Sequence, residues 1–181
     1  GMGVTNEGAL RNVQYANVWP GAIALYNTTR IQAEGNSTLT LTGGINGTNA
    51  AHYLYFGGAG TIIITNNSMG TNVIDLIRDG SGTTMLARVS AHVGDTIVSN
   101  GMLMLRGANM LPTQTAVRVV GSGVFNLTNN NTAIGSLAGN GQVWLGSGLL
   151  LVGANGSNTT YNGVMSGTGG LDKLGTSTLT I

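Results

Sequence analysis

Cysteine is absent from these 181 residues, so no disulfide framework can form and the redox compartment cannot be read from thiol usage. Charge is scarce as well. Only 7% of residues are Asp, Glu, Lys or Arg, and the net charge of +1 leaves no electrostatic footprint for nucleic acid or acidic membrane. Aromatics make up 5% and there are two prolines. No apolar run approaches the roughly 20 residues of a membrane span, the longest being stretches such as residues 149–152. Residues 1–8, GMGVTNEG, lack the basic and apolar regions of a signal peptide. What is abundant is glycine, with 31 copies, together with Asn and Thr. The apolar fraction of 41% is enough to line a core, and low charge with that much apolar content argues against disorder.

Short β motifs recur after Gly or Asn turns. They are STLTL (37–41), TIIIT (61–65), TTMLA (83–87), GMLML (101–105), GVFNL (123–127), GQVWL (141–145) and STLTI (177–181). Aligned on Leu39, Ile62, Met85, Leu103, Val124 and Val143, they step by 23, 23, 18, 21 and 19 residues. From Val143 to Leu179 is 36, which reads as two steps of 18. A loose period near twenty fits a solenoid rather than a sandwich, whose turn signals come about every 8–12 residues. Within motifs, Leu and Ile alternate with Thr, as in Thr38-Leu39-Thr40-Leu41, and no long window carries a helical period. The reading is an all-β, single-stranded parallel β-helix of roughly eight or nine coils, 1–181 forming one segment, with almost no helix. At about 4.8 Å per coil it makes a rod about 40 Å long.

The last stretch, NGSNTTYNGVMSGTGGLDKLGTSTLTI (155–181), is the most specific. It follows the pattern Tyr-x-Gly-apolar, then Gly-x-Gly-Gly-Leu-x-Lys, then Gly-Thr-x-Thr-Leu-Thr-Leu. The matching residues are Tyr161, Gly163, Val164, Gly167, Gly169, Gly170, Leu171, Lys173, Gly175, Thr178, Leu179, Thr180 and Ile181. Leu174 departs from it, standing where a small polar residue is usual. The stretch resembles the autotransporter-associated β-strand repeat, also called the passenger-associated transport repeat. The similarity extends over the chain, most specifically from Thr96 onward. In IGSLAGNGQVWL (134–145), Ser136-Leu137-Ala138-Gly139 is expected to join two coils. The resemblance implies a right-handed β-helix secreted through the type V pathway and folded outside the cell. Such a passenger projects from the bacterial surface as a stalk, an adhesin or a fibre. Its partners would be neighbouring coils, a second copy stacked end to end, or a host-surface or glycan ligand. No nucleic acid, no cofactor and no membrane insertion of this segment are expected. The strand at Ile181, with no amphipathic cap after it, reads as a piece of a longer passenger or a unit that stacks into a filament.

Residues able to carry chemistry are few. Pectin-degrading β-helix enzymes set acidic groups on adjacent coils. Asp75 and Asp95 are 20 residues apart and could stack, with Asp79, Arg78 and Arg88 nearby. Paired carboxylates whose pKa values are pushed apart can share acid and base work. A polysaccharide-acting enzyme using Asp75, Asp79 and Asp95 is therefore the alternative to a non-enzymatic rod, while the plainer reading is that these acids sit at solvated corners. His52 and His92 are about two coils apart with no Cys or acidic companions, too few ligands for a metal. Residues 167–174 approach a calcium-binding nonapeptide once, imperfectly, and with Lys173 beside it, so calcium is not expected. The sequons at Asn27, Asn36, Asn46, Asn66, Asn126, Asn130, Asn155 and Asn158 read as corner asparagines. Thr-x-Thr elements suggest a flat ice-binding face, but Ile62/Ile64 and Met102/Met104 interrupt it. Trp19, Trp144, Tyr53, Tyr55 and Phe56 could form a sugar-stacking strip, though aromatics more often cap a core.

Overall fold

The computed structural model describes residues 1–48, 50–65 and 69–181; the sequon at Asn66 lies outside them. Strands too short to bury an apolar face alone wind into stacked parallel coils, each using its neighbours as cover. The first coil carries β1 (Leu10–Asn12), β2 (Ala16–Trp19) and β3 (Ile23–Leu25), and the second β4 (Thr29–Ala33), β5 (Thr38–Leu41) and β6 (Ile45–Gly47). The third has β7 (His52–Gly57) and β8 (Thr61–Ile64), the fourth β9 (Val73–Arg78) and β10 (Thr83–Leu86), the fifth β11 (Thr96–Val98) and β12 (Met102–Leu105). The sixth has β13 (Ala116–Val119), β14 (Val124–Asn126) and β15 (Thr132–Ile134), and the seventh β16 (Ser136–Gly139), β17 (Gln142–Gly146) and β18 (Leu149–Val152). The eighth has β19 (Thr159–Thr160), β20 (Val164–Gly167) and β21 (Gly170–Lys173), and β22 (Leu179–Thr180) opens another turn. Among the described residues the one helical piece is a 3-10 turn, Val4–Asn6.

Three sides result. The first sheet runs β1-β4-β7-β9-β11-β13-β16 and continues through the Gly139–Tyr161 bridge to β19 and β22. The second runs β2-β5-β8-β10-β12-β14-β17-β20. Among the described residues, the third is regular only at the two ends, as β3-β6 and β15-β18-β21. In the middle coils single backbone bonds carry that side, such as Ala91 N–H to the Met69 carbonyl at 2.8 Å. All paired strands are parallel, so the ladder hydrogen bonds lie along the rod.

Alternation decides what is buried. Strands such as β5, β8, β10 and β12 show every second residue buried and the intervening one half-buried. The second-sheet inner ladder runs Leu39, Ile62, Thr84, Leu103, Phe125, Val143. Two positions differ from the sequence alignment. Thr84, not Met85, points inward, and Phe125, not Val124. A one-residue slip exchanges the two faces of a strand. Leu86 and Leu127, both fully buried, fix the registers that the first apolar residue of each motif obscured. Leu179 also belongs elsewhere. It pairs with Thr159 on the first sheet, while Val143 is followed on the second sheet by Met165. Ser136–Gly139 is likewise a strand of the first sheet, β16, rather than a connection.

Candidate functional site

The three carboxylates singled out by spacing lie on or beside the outer surface of the first sheet. The register Leu76–Thr96 sets Asp75 and Asp95 side by side on adjacent coils. Asp75 Oδ1 accepts the Asp95 backbone N–H at 2.8 Å. Partial burial raises the Asp95 pKa first, and the Asp75 charge adds to it, against the opposing charge of Arg118. Asp79 does not join them. Just beyond β9 it accepts from Arg30 Nη1 and Nη2, at 2.7 and 2.5 Å, in a bidentate ion pair. The Arg30 guanidinium also lies 5.3 Å from the Tyr55 ring centroid, within cation–π range. Two of the three acids are thus neighbours and the third is held by a guanidinium. Three open cavities among the described residues, with volumes of about 640, 390 and 490 Å³, have no Asp or Glu in their walls.

Sequence reasoning missed the role of Arg78. It occupies a core position between Phe56 and Val98 in the inner ladder and has no exposed surface. Its Nη1 donates to the Phe56 and Gly57 carbonyls, both at 3.0 Å, and Nη2 to Gly58 at 2.8 Å. Burial lowers its pKa to about 10. The corner 57–60 is therefore gripped from inside by Arg78, while Arg30 crowds Gly57 from the other side. The signal was present in Leu76-Ile77-Arg78, where alternation puts Arg78 on the same face as Leu76.

The surroundings of His92 were likewise beyond the sequence reading. It is 1% exposed and sits among hydroxyls from two coils. Ser90 Oγ lies 2.7 Å from Nδ1, while Thr96 Oγ1 and Thr115 Oγ1 lie 2.9 and 3.3 Å from Nε2. Burial pushes its pKa down to about 4. No spacing rule could assemble these four, because Thr115 arrives from the next turn. His52, at the start of β7, is half-buried and remote in sequence from this cluster. Among the described residues no three His, Cys, Asp or Glu side chains are grouped to hold a metal.

The repeat-motif residues have structural duties. Tyr161, 1% exposed, donates its hydroxyl to the Gly141 carbonyl one coil back at 2.8 Å, and burial raises its pKa to about 12. A Cβ at Gly163 would collide with that same carbonyl and with the Tyr161 ring. Gly167 ends β20 with φ +120°, a backbone that side chains resist. Gly169, Gly170 and Leu171 lead into and through β21, which pairs with β18. Lys173 donates to the Leu174 carbonyl and to Ser177 Oγ (3.0 Å), bracing the turn at Gly175. Thr178 N–H is received by Asn158 Oδ1 at 2.7 Å, and Leu179 and Thr180 pair with β19, ahead of Ile181. Asn158 and Asn130 thus brace corners through side-chain bonds, while of the sequon asparagines Asn36 adopts the left-handed backbone.

The aromatic strip does not form. Phe56 is in the core, Tyr53 and Tyr55 face out from the first sheet, and Trp19 and Trp144 belong to the second. The outward threonine ladder is short, running Thr38–Thr61–Thr83 before Met102 replaces it. No family model matches this chain, and no curated protein or solved structure matches it.

Proposed function

We propose that this chain is an architectural segment of an autotransporter-like passenger, a non-enzymatic rod exported to the bacterial surface that spaces or presents adhesive surface. The observation that carries the reading is the use of the motif between Tyr161 and Ile181. Its tyrosine, glycines and lysine are engaged in corners and inter-coil bonds. A repeat whose side chains hold one coil to the next supports a scaffold role. The partners of such a segment are adjoining coils, a second copy stacked on its end, or a glycan or host surface along its flanks. Surface proteolysis of intact producing cells, followed with an antibody to this chain, tests the location. Loss of the signal without lysis is expected, and a chain released only by lysis overturns the proposal.

The second reading, a polysaccharide-acting enzyme, rests on the Asp75–Asp95 pair and the raised Asp95 pKa. It is the weaker one, because Asp79 is committed to Arg30 and the pair lines none of the three cavities described above. Incubation with neutral and acidic polysaccharides is expected to release no new chain ends. Release that disappears in Asp95→Asn would replace the scaffold reading with the enzymatic one.

A further inference from the structure

The seven methionines divide into two groups. Met69 is buried, and Met110 and Met165 pack against the core, while Met2 lies in the N-terminal stretch. Met85, Met102 and Met104 are different. Alternation buries Thr84, Leu86, Leu103 and Leu105 and turns these three outward on the second sheet. The register pairs Met85 directly with Met104, and Met102 lies two residues along the same strand. Adjacent strands are about 4.8 Å apart and residues i and i+2 about 6.7 Å apart. Each unbranched thioether has three rotatable bonds, so the three sulfurs can converge on one point above the sheet.

We infer that Met85, Met102 and Met104 form a thioether site for a soft monovalent cation, Cu(I) or its analogue Ag(I). Three observations support it. The three side chains occupy half-buried outward positions, and two of the sulfurs meet polar groups there: Met85 Sδ accepts from Arg106 Nη1 at 3.8 Å and Met102 Sδ from Asn126 Nδ2 at 3.6 Å. Lone pairs that receive N–H groups become available to a cation once those groups turn away, and Arg106 is exposed. Neutral thioethers select soft, low-charge ions, whereas Zn(II), Mg(II) and Ca(II) require thiolate, imidazole or oxygen donors. The strands fix the three Cα positions, so the ligands are set on a rigid platform rather than a loop. Arg106 is the charged group facing the site, and its repulsion of an incoming cation limits affinity.

The test uses protein labelled with ¹³C at the methionine methyls, titrated with silver nitrate in chloride-free buffer. The Met85, Met102 and Met104 signals, assigned by single Met→Leu variants, are expected to shift together and to saturate at one Ag(I) per chain. Met→Leu changes volume little, and unchanged thermal unfolding checks that the fold is kept. Met102→Leu/Met104→Leu is expected to lose the saturating phase, and Arg106→Gln to strengthen it. Anaerobic Cu(I), in competition with a chromogenic chelator, is expected to bind with the same stoichiometry. Shifts confined to Met2, shifts spread over every exposed methionine without saturation, or binding unchanged in the double variant would each overturn the site.

Discussion

At His92 the surrounding bonds select one tautomer. Thr115 Oγ1 gives its hydrogen to the Gly94 carbonyl at 2.7 Å, so it can only accept from the cluster. Nε2–H then donates toward Thr96 and Thr115, and the Ser90 hydroxyl donates to Nδ1, which satisfies the ring while it is neutral. A second proton would turn Nδ1 into a donor facing a hydroxyl that already points at it. The folded pKa of about 4 lies below the ordinary 6.5, so between those values the unfolded chain holds a proton that the folded chain refuses. Stability from this residue is therefore complete above pH 6.5, falls as pH drops, and is fully lost below about 4. A shift of this size corresponds to about 3 kcal/mol. Urea unfolding at pH 7 and pH 4 is expected to show that extra loss in the natural chain and not in His92→Asn. Parallel losses in the two proteins would locate the acid sensitivity elsewhere. None of this was legible from His92 itself, whose partners lie on a loop, at the start of β11 and in the next coil.

The corner that closes β7 is held by one side chain. Its three successive carbonyls, of Phe56, Gly57 and Gly58, all receive the buried guanidinium of Arg78. Replacing it by Met keeps much of the stem packing but leaves those carbonyls without the donor, and bonds to a charged donor are worth about 1.5–3 kcal/mol each. Arg78→Met is expected to cost at least about 3 kcal/mol. Arg30→Met breaks a more accessible ion pair and costs about 1 kcal/mol. Equal losses in the two variants, measured by chemical denaturation, would refute the internal grip. Strand identity was readable wherever Thr and an aliphatic residue alternate, as in Thr38–Leu41. At Thr83–Leu86 the strand was readable but its inward face was not, because a threonine occupies the core with an unpaired hydroxyl while a methionine faces out. Hydrophobicity alone ranks those two residues the wrong way round, and the neighbouring coils decide.

Across the whole molecule, a period near twenty revealed stacking, but not that each turn has three sides. The spacing was read from one face, so Leu179, which belongs to another, was fitted to it by doubling a step. Burial also grades along the rod. All four residues of β2 are exposed, and the last coil is exposed at most positions, while β8, β10 and β12 each bury alternate residues. Amides of those three central strands are expected to exchange slowest with solvent, and those of β2 and β22 fastest. Uniform protection from end to end would show that the coils open only together.

The direction of the ladder bonds has a mechanical meaning. Because all paired strands are parallel and stacked, tension applied between the two ends of the chain loads the bonds of one turn before those of the next. A turn that peels away frees about 20 residues, or roughly 70 Å of contour, while shortening the remaining rod by only about 4.8 Å. Under load the segment is expected to act as a spool, giving out length in repeated steps and keeping the unpeeled remainder intact.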